Sequence, residues 1–227
     1  MPYRKIAATK IFDGTRLREE HVLLIDENGV VEALLPKEEA GEGVETLDGL
    51  LSPGFVNCHC HLELSHMKGK IPEKTGLVDF VFKVVTERSA SEDEVLQAIA
   101  DAEAEMKQNG IVAVGDICNN TSTLLQKGQG NLYYYNFIEA SGWLPTISDT
   151  RFERAKAIYD AYVNGEWETT PNPKLQTPNC SIVPHAPYSV SQNLWQAIQP
   201  FFEGKVVSIH NQETRFEDEF FLHGTGD

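Results

Sequence analysis

From Ser52 onward, short apolar runs alternate with amphipathic stretches at helical spacing. No other feature constrains the fold as strongly, because strand–helix alternation implies a parallel sheet covered by helices. Pro53-Gly54 breaks the chain ahead of a strand that runs from Phe55 into His59 and His61 and is expected to be buried. Ser91 to Gly110 reads as a helix: Val95, Ile99, Ala102 and Met106 share a face, and Ser91 with Glu94 has the capping-box spacing. Gly110 suits its carboxyl-terminal cap. Further strands are expected at Ile111–Gly115 before Asp116, at Leu132–Ile138 before Glu139, at Ser181–His185, and at Lys205–Ile209 closing on His210. Helices are expected over Arg151–Val163 and from Ser191 to Gly204, the latter carrying Leu194, Trp195, Ile198 and Phe202. Residues 164–180 hold three prolines and read as an irregular connection.

Ahead of this α/β region, residues 3–50 read as a small β unit. Ile6–Phe12 is a strand followed by an Asp13-Gly14 turn. His21–Ile25 and Val30–Leu35 flank Asn28-Gly29, a pair expected to supply the positive φ angles of a tight hairpin. The charged edges suggest an accessory sheet. The division is therefore residues 1–51, a β portion, and residues 52–227, roughly five β/α units. An open doubly wound sheet and part of a barrel both fit that pattern.

The formal net charge of −15, from 34 acidic and 19 basic residues, argues against a nucleic-acid surface. Acids gather on helix faces expected to be exposed, Glu92-Asp93-Glu94 and Glu217-Asp218-Glu219. No apolar run is long enough for a bilayer, and the start lacks an apolar signal core, so a cytoplasmic protein is expected. The four cysteines have no disulfide-framework spacing, and Cys58 and Cys60 are expected as small buried strand residues.

The chemistry lies in the histidines. His59, His61, His185 and His210 all fall at the carboxyl ends of expected strands, where α/β folds build their sites. Side chains two apart on a strand share a face, so His59 and His61 can reach one metal ion as neutral imidazoles. His210 is a third ligand candidate. Glu213, three residues on, is positioned to turn back over the site and shuttle protons, although a helix-start glutamate favoured by the macrodipole would look the same. His185, held between Pro184 and Pro187, is a candidate metal ligand or substrate contact, with the substrate preferred. Asp116 and Glu139 also end strands, but such residues are more often loop-start carboxylates and neither is assigned a role. Glu63 is a weaker substrate-contact candidate, and His66 is weaker still, in an expected loop.

Leu47-Asp48-Gly49, Ser52-Pro53-Gly54-Phe55-Val56-Asn57 and His59-Cys60-His61-Leu62-Glu63 resemble the first-strand region of the amidohydrolase superfamily. His185-Ala186-Pro187-Tyr188-Ser189 and His210-Asn211-Gln212-Glu213 are similar to the fourth- and fifth-strand motifs of its aminohydrolase and chlorohydrolase branch, which includes guanine, adenosylhomocysteine and aminodeoxyfutalosine deaminases. The resemblance implies a (β/α)8 TIM-type barrel with a small β-sandwich built partly from the amino-terminal strands. It implies one divalent metal, zinc or iron, on His59, His61 and His210, with Glu213 as proton shuttle and His185 against a heterocyclic small-molecule substrate. Two-metal relatives bridge their ions with a fourth-strand lysine, and Ser181–His185 has none, which favours a single ion.

The family also expects a sixth-strand histidine and an eighth-strand aspartate. Neither His223 nor Asp227 matches those positions, so the chain resembles the amino-terminal portion of a barrel. A full barrel takes about 250 residues. The missing strands are then expected from another polypeptide or a homo-oligomer, or the chain is cut, or the fold is rearranged. The activity expected is hydrolysis of C–N bonds other than peptide bonds, foremost deamination of an amino-substituted heterocycle. The alternatives are dechlorination or cyclic-amide hydrolysis at the same site, an inactive metal-binding fragment or subunit, and a non-catalytic α/β domain with structural histidines.

Overall fold

The computed structural model describes residues 3–164 and 179–226. Most of the connection expected over 164–180 lies outside the described residues. The chain divides into two compact units, Met1–Gly54 and Phe55–Asp227.

The first unit is a sheet of β1 (Arg4–Phe12), β2 (Leu17–Arg18), β3 (His21–Ile25), β4 (Val31–Pro36) and β5 (Val44–Leu51). Its order is β2-β1-β3-β4, and β5 pairs in parallel with β1. Ala7, Val22 and Ala40 form the small core. The hairpin differs from the expected one. Only Gly29 takes a positive φ, 80°, and the Asp26 carboxylate accepts the N–H groups of Asn28 and Val30 to shape a longer loop. The register slips at Ile25 as a result. Within the expected β region, β5 is the strand the residues mark least: Val44–Leu51 is largely exposed and carries Gly49 at φ 103°, so it lacks a clean alternation.

The second unit is built on a four-stranded parallel sheet, β6 (Phe55–Cys60), β7 (Ile111–Cys118), β8 (Tyr133–Ala140) and β9 (Cys180–Pro184), in sequence order. The helices are α1 (Leu77–Glu87), α2 (Glu92–Gln108), α3 (Leu124–Lys127), α4 (Ser148–Asn164), α5 (Gln192–Phe202) and α6 (Arg215–His223). The α2 capping box is present as expected, with Ser91 and Glu94 satisfying each other's backbone N–H groups. Ile99 is fully buried against Val114, Leu62 and Tyr134, with Val95, Ala102 and Met106 alongside. A second core joins Ile138 and Ile182 of the sheet to Ala155, Tyr162, Leu194 and Ile198 of α4 and α5. Burying each such aliphatic side chain contributes about 1.5–3 kcal/mol. On the other face of the sheet Ile117, Phe137 and Val183 pack together with Tyr135.

Several expectations are corrected here. Lys205–Ile209 is not a strand: the segment is tied to β9 by the His210 N–H to His185 carbonyl bond (2.8 Å) and by the Ser181 hydroxyl donating to the Val206 carbonyl (3.0 Å). Those two ties do not make a ladder. Strand β6 lies at the sheet edge, so Phe55 and Val56 are exposed, 62% and 60%, rather than buried. Cys58 is likewise exposed, whereas Cys60 packs against the α2 core. Glu217 is buried rather than on an open face, because its carboxylate accepts the Glu213 N–H (2.9 Å) at the start of α6. His66 sits in the 3-10 helix Leu62–Met67, its Nε2 against the Arg88 carbonyl, rather than in a loop.

Gly115 shows why β6 and β7 approach so closely. A Cβ at this position would lie 2.6 Å from the Cys58 carbonyl oxygen and 2.9 Å from the Phe137 ring. Only a residue without a side chain fits there.

Candidate metal centre

Three imidazoles converge at the carboxyl end of the sheet. His59 is the penultimate residue of β6, His61 follows the strand directly, and His210 leads out of the segment beside β9. His59 Nε2 and His61 Nε2 are 3.3 Å apart, and His61 Nε2 and His210 Nε2 are also 3.3 Å apart. Nitrogens bound at 2.0–2.1 Å to a tetrahedral ion would be about 3.3 Å apart. The donor set thus has the spacing and chemistry of a zinc-type site.

The protonation states agree. Burial and the neighbouring His210 lower the pKa of His59. Burial, with His210, His59 and His185 nearby, pushes His61 down to about 4. Neutral rings at pH 7 keep the lone pairs that a metal needs.

The far nitrogens are held unequally. His59 Nδ1 meets the Ser208 hydroxyl at 3.2 Å. His210 Nδ1 meets the His185 carbonyl at 3.2 Å and Glu139 Oε1 at 3.4 Å. His61 Nδ1 is buried with no hydrogen-bond partner among the described residues.

His185 stacks on His210, ring centroids 4.8 Å apart, and its Nδ1 lies 2.7 Å from the Ser189 hydroxyl. Burial lowers its pKa, against the opposing pull of Glu139. Glu139, His185 and His210 make a second group compact enough for an ion, sharing His210 with the first. Glu213 is exposed and accepts a hydrogen bond from the Tyr188 hydroxyl (3.3 Å). Burial and the Glu213 charge push Tyr188 up to about 12, so it stays a donor. The turn from His210 to Glu213 passes through Gln212 at φ 56°, the left-handed region that costs a side-chain-bearing residue about 1–2 kcal/mol.

The two strand carboxylates separate by parity. On β8, Glu139 alternates with Ile138 and shares the face of Phe137 and Tyr135, the face of the histidines. Asp116 is turned to the helix side, fully buried, 2.5 Å from Lys127 Nζ. Burial opposes charge on Lys127, yet Asp116, with Cys118 and Tyr162 beside it, holds the ammonium well above its ordinary range. The other Asp116 oxygen accepts the Leu62 N–H (2.8 Å), so this pair fixes the backbone immediately after His61.

Glu63 is not among the converging groups. It is buried in the turn after β6, and its Oε2 accepts the backbone N–H groups of Asn119 (3.0 Å) and Asn120 (3.1 Å). Burial raises its pKa to about 7. The residue types alone did not mark Glu139, Ser208 or Ser189 as site partners. The strand-end position of Glu139 was visible, but which face of β8 it used was not.

No protein-family model and no curated protein matches the chain. Solved structures do match. They include an aminofutalosine deaminase of Helicobacter pylori in complex with methylthio-coformycin (TM-score 0.78, 18% identity, 99% of this chain and 54% of that one). A guanine deaminase of C. acetobutylicum with bound guanine aligns at TM-score 0.71 and 12% identity, over 98% of this chain and 57% of that one. An atrazine chlorohydrolase of Arthrobacter aurescens TC1 complexed with zinc aligns at TM-score 0.64 and 16% identity, over 98% and 56%. The chain spans a little over half the length of each.

Proposed function

We propose, for a chain that has the mixed α/β fold of the amino-terminal portion of amidohydrolase-superfamily deaminases and triazine hydrolases, that it carries the metal-binding half of a hydrolase acting on C–N bonds other than peptide bonds. The observation that carries this reading is that His61 Nε2 lies 3.3 Å from both His59 Nε2 and His210 Nε2. Those three residues would hold one divalent ion, zinc or iron. When bound, such an ion supplies an activated water and a positive charge opposite the developing oxyanion.

The chain's own residues do the rest. Glu213 takes one proton from the attacking water and delivers it to a ring nitrogen, then takes the second from the new hydroxyl and delivers it to the departing amine. The water oxygen bonds to the ring carbon, the exocyclic C–N bond breaks, and ammonia leaves. Tyr188 orients Glu213 by donating to Oε2. His185 faces the substrate. With the Ser189 hydroxyl donating to the Ala186 carbonyl (3.2 Å), His185 Nδ1–H donates to Ser189 and leaves Nε2 to accept from the substrate. Glu63 has Oε1 for a substrate contact, since Oε2 is occupied. Dechlorination uses the same groups with chloride leaving, a reading favoured by the chlorohydrolase likeness, as does opening of a cyclic amide.

The complete assembly in this reading is a (β/α)8 barrel. Its further strands come from a longer chain, a second polypeptide or a second copy, and residues 1–51 contribute to a β-sandwich. The exposed edge strand β6 is consistent with such a neighbour. This chain alone would be a metal-binding subunit without turnover if those strands supply an acidic ligand. The acidic surface suits a small heterocycle and no nucleic acid. No helix among the described residues is long and apolar enough to cross a membrane, and the cytoplasm is the proposed compartment.

The test is ammonia and chloride release from purines, pterins, cytosine and chloro-s-triazines by the zinc- or iron-loaded complete protein. Ammonia from a subset of the amino-heterocycles is expected. No turnover of any of them by fully loaded protein overturns the deaminase reading.

A further inference from the structure

We infer that Glu139 is a positioning residue for the metal ligand His210, held in turn by Asn119. The inference rests on the proposed metal site. His59 and His61 need little help, since one lies within β6 and the other follows it, clamped by the Leu62 N–H to Asp116 bond. His210 has no such frame. Its segment forms no ladder, and the backbone of His210 itself is held by one bond, from its N–H to the His185 carbonyl.

The ring orientation of His210 therefore depends on what its Nδ1 meets. It donates to the His185 carbonyl at 3.2 Å, and Glu139 Oε1 lies beside it at ion-pair distance, 3.4 Å. The carbonyl can only accept, so the hydrogen sits on Nδ1 and the Nε2 lone pair is left aimed at His61 Nε2, 3.3 Å away. Only Glu139 brings charge. A carboxylate behind a ligating imidazole raises the basicity of the far nitrogen and fixes the tautomer.

Glu139 is itself fixed. Its side chain is 8% exposed, and its other oxygen accepts a hydrogen bond from Asn119 Nδ2 (3.0 Å). Asn119 is locked because its backbone N–H donates to Glu63 Oε2 (3.0 Å). Two hydrogen bonds and one ion-pair contact thus run from Glu63 through Asn119 and Glu139 to His210. They join the turn after β6, the loop after β7, the end of β8 and the segment beside β9. Of the three candidate ligands, His210 is the one whose outer nitrogen faces a carboxylate. His59 has only a hydroxyl, and His61 has no partner among the described residues.

The experiment is zinc affinity of the full chain, by competition with a chromophoric chelator, in wild type, Glu139→Gln and Asn119→Ala. It is paired with the imidazole nitrogen NMR shifts of His210 in metal-free protein. Glu139→Gln keeps the shape of the side chain but removes its charge. It should weaken zinc binding roughly 10- to 100-fold, the usual cost of losing such a partner. The His185 carbonyl keeps the hydrogen on Nδ1, so the change should appear as a shift of the His210 Nε2 signal, whose basicity the charge raises. Asn119→Ala should weaken binding less, because Glu139 keeps its charge. Thermal unfolding of the metal-free protein should be the same in Glu139→Gln as in wild type, which separates positioning from loss of fold. Zinc affinity within twofold of wild type with an unchanged His210 Nε2 shift overturns the inference and leaves the metal site standing. Wild type that binds no zinc overturns both.

Discussion

At the residue scale, the centre is a set of converging imidazoles next to one exposed carboxylate. Glu213 contributes no atom to the three-histidine group, so its loss should separate chemistry from metal binding. Glu213→Gln in the complete protein is expected to lower kcat by about 10²- to 10⁴-fold, the range for a lost acid–base group. Metal content by atomic absorption should match wild type. A parallel loss of metal would show that Glu213 is a ligand. The histidines themselves were legible in the sequence because each ends an apolar run, and the structure brings all four together. Their outer partners were not legible. Glu139 and Asp116 look alike as carboxylates at the ends of apolar runs. They diverge only through the face of the sheet each one uses, which needs the register of three strands to know.

At the element scale, the strongest local signals were those with two independent marks. The α2 helix had a capping box and an apolar stripe, and both are present. Ser91→Ala removes an acceptor for the Glu94 N–H and should cost about 1 kcal/mol, read from the shift in urea midpoint at constant slope. Elements with one mark or none were missed or incompletely read. α1 lies between Gly76 and Arg88 with no side-chain cap and no buried residue among its own. α6 was marked only as a helix face around Glu217-Asp218-Glu219, without bounds and with its acids taken as exposed, whereas Glu217 is buried and Thr214 caps the helix. Lys205–Ile209 erred in the other direction. Its residues suit a strand, but pairing depends on neighbours that composition does not reveal.

At the scale of the whole molecule, alternation of strands and helices was enough to give a parallel sheet, but its chain order was not, since a doubly wound sheet fitted the same pattern. The exposure of β6 was not foreseen, because an apolar strand reads as interior whether or not a neighbour covers it. The amino-terminal unit has its own electrostatic anchor. The Asp13 carboxylate accepts hydrogen bonds from the Thr15 hydroxyl, the Arg16 and Thr15 N–H groups and the Arg18 side chain, which hold its pKa well below the usual carboxylate value. A depressed folded pKa gives stability that is fully present above the unfolded value, about 4. It is lost as pH falls from there through the folded value. Wild type should therefore lose stability on acidification more steeply than Asp13→Asn. The Asp13 carboxyl carbon shift should show no titration at pH 4. A midpoint near 4 would remove this contribution.

The buried Lys127–Asp116 pair has a consequence for the order in which the molecule comes apart. The Leu62 amide is sealed beneath a carboxylate whose charge is balanced by an ammonium with no path to water. Exposing that amide means parting the pair, and an unpartnered charge in this setting is costly enough to bring the surrounding core with it. In deuterium exchange, the Leu62 proton should be among the last to leave the second unit. It should go together with the amides of β7 rather than with the turn in which it sits. The backbone beside the candidate metal ligands would then be among the slowest parts of the protein to open.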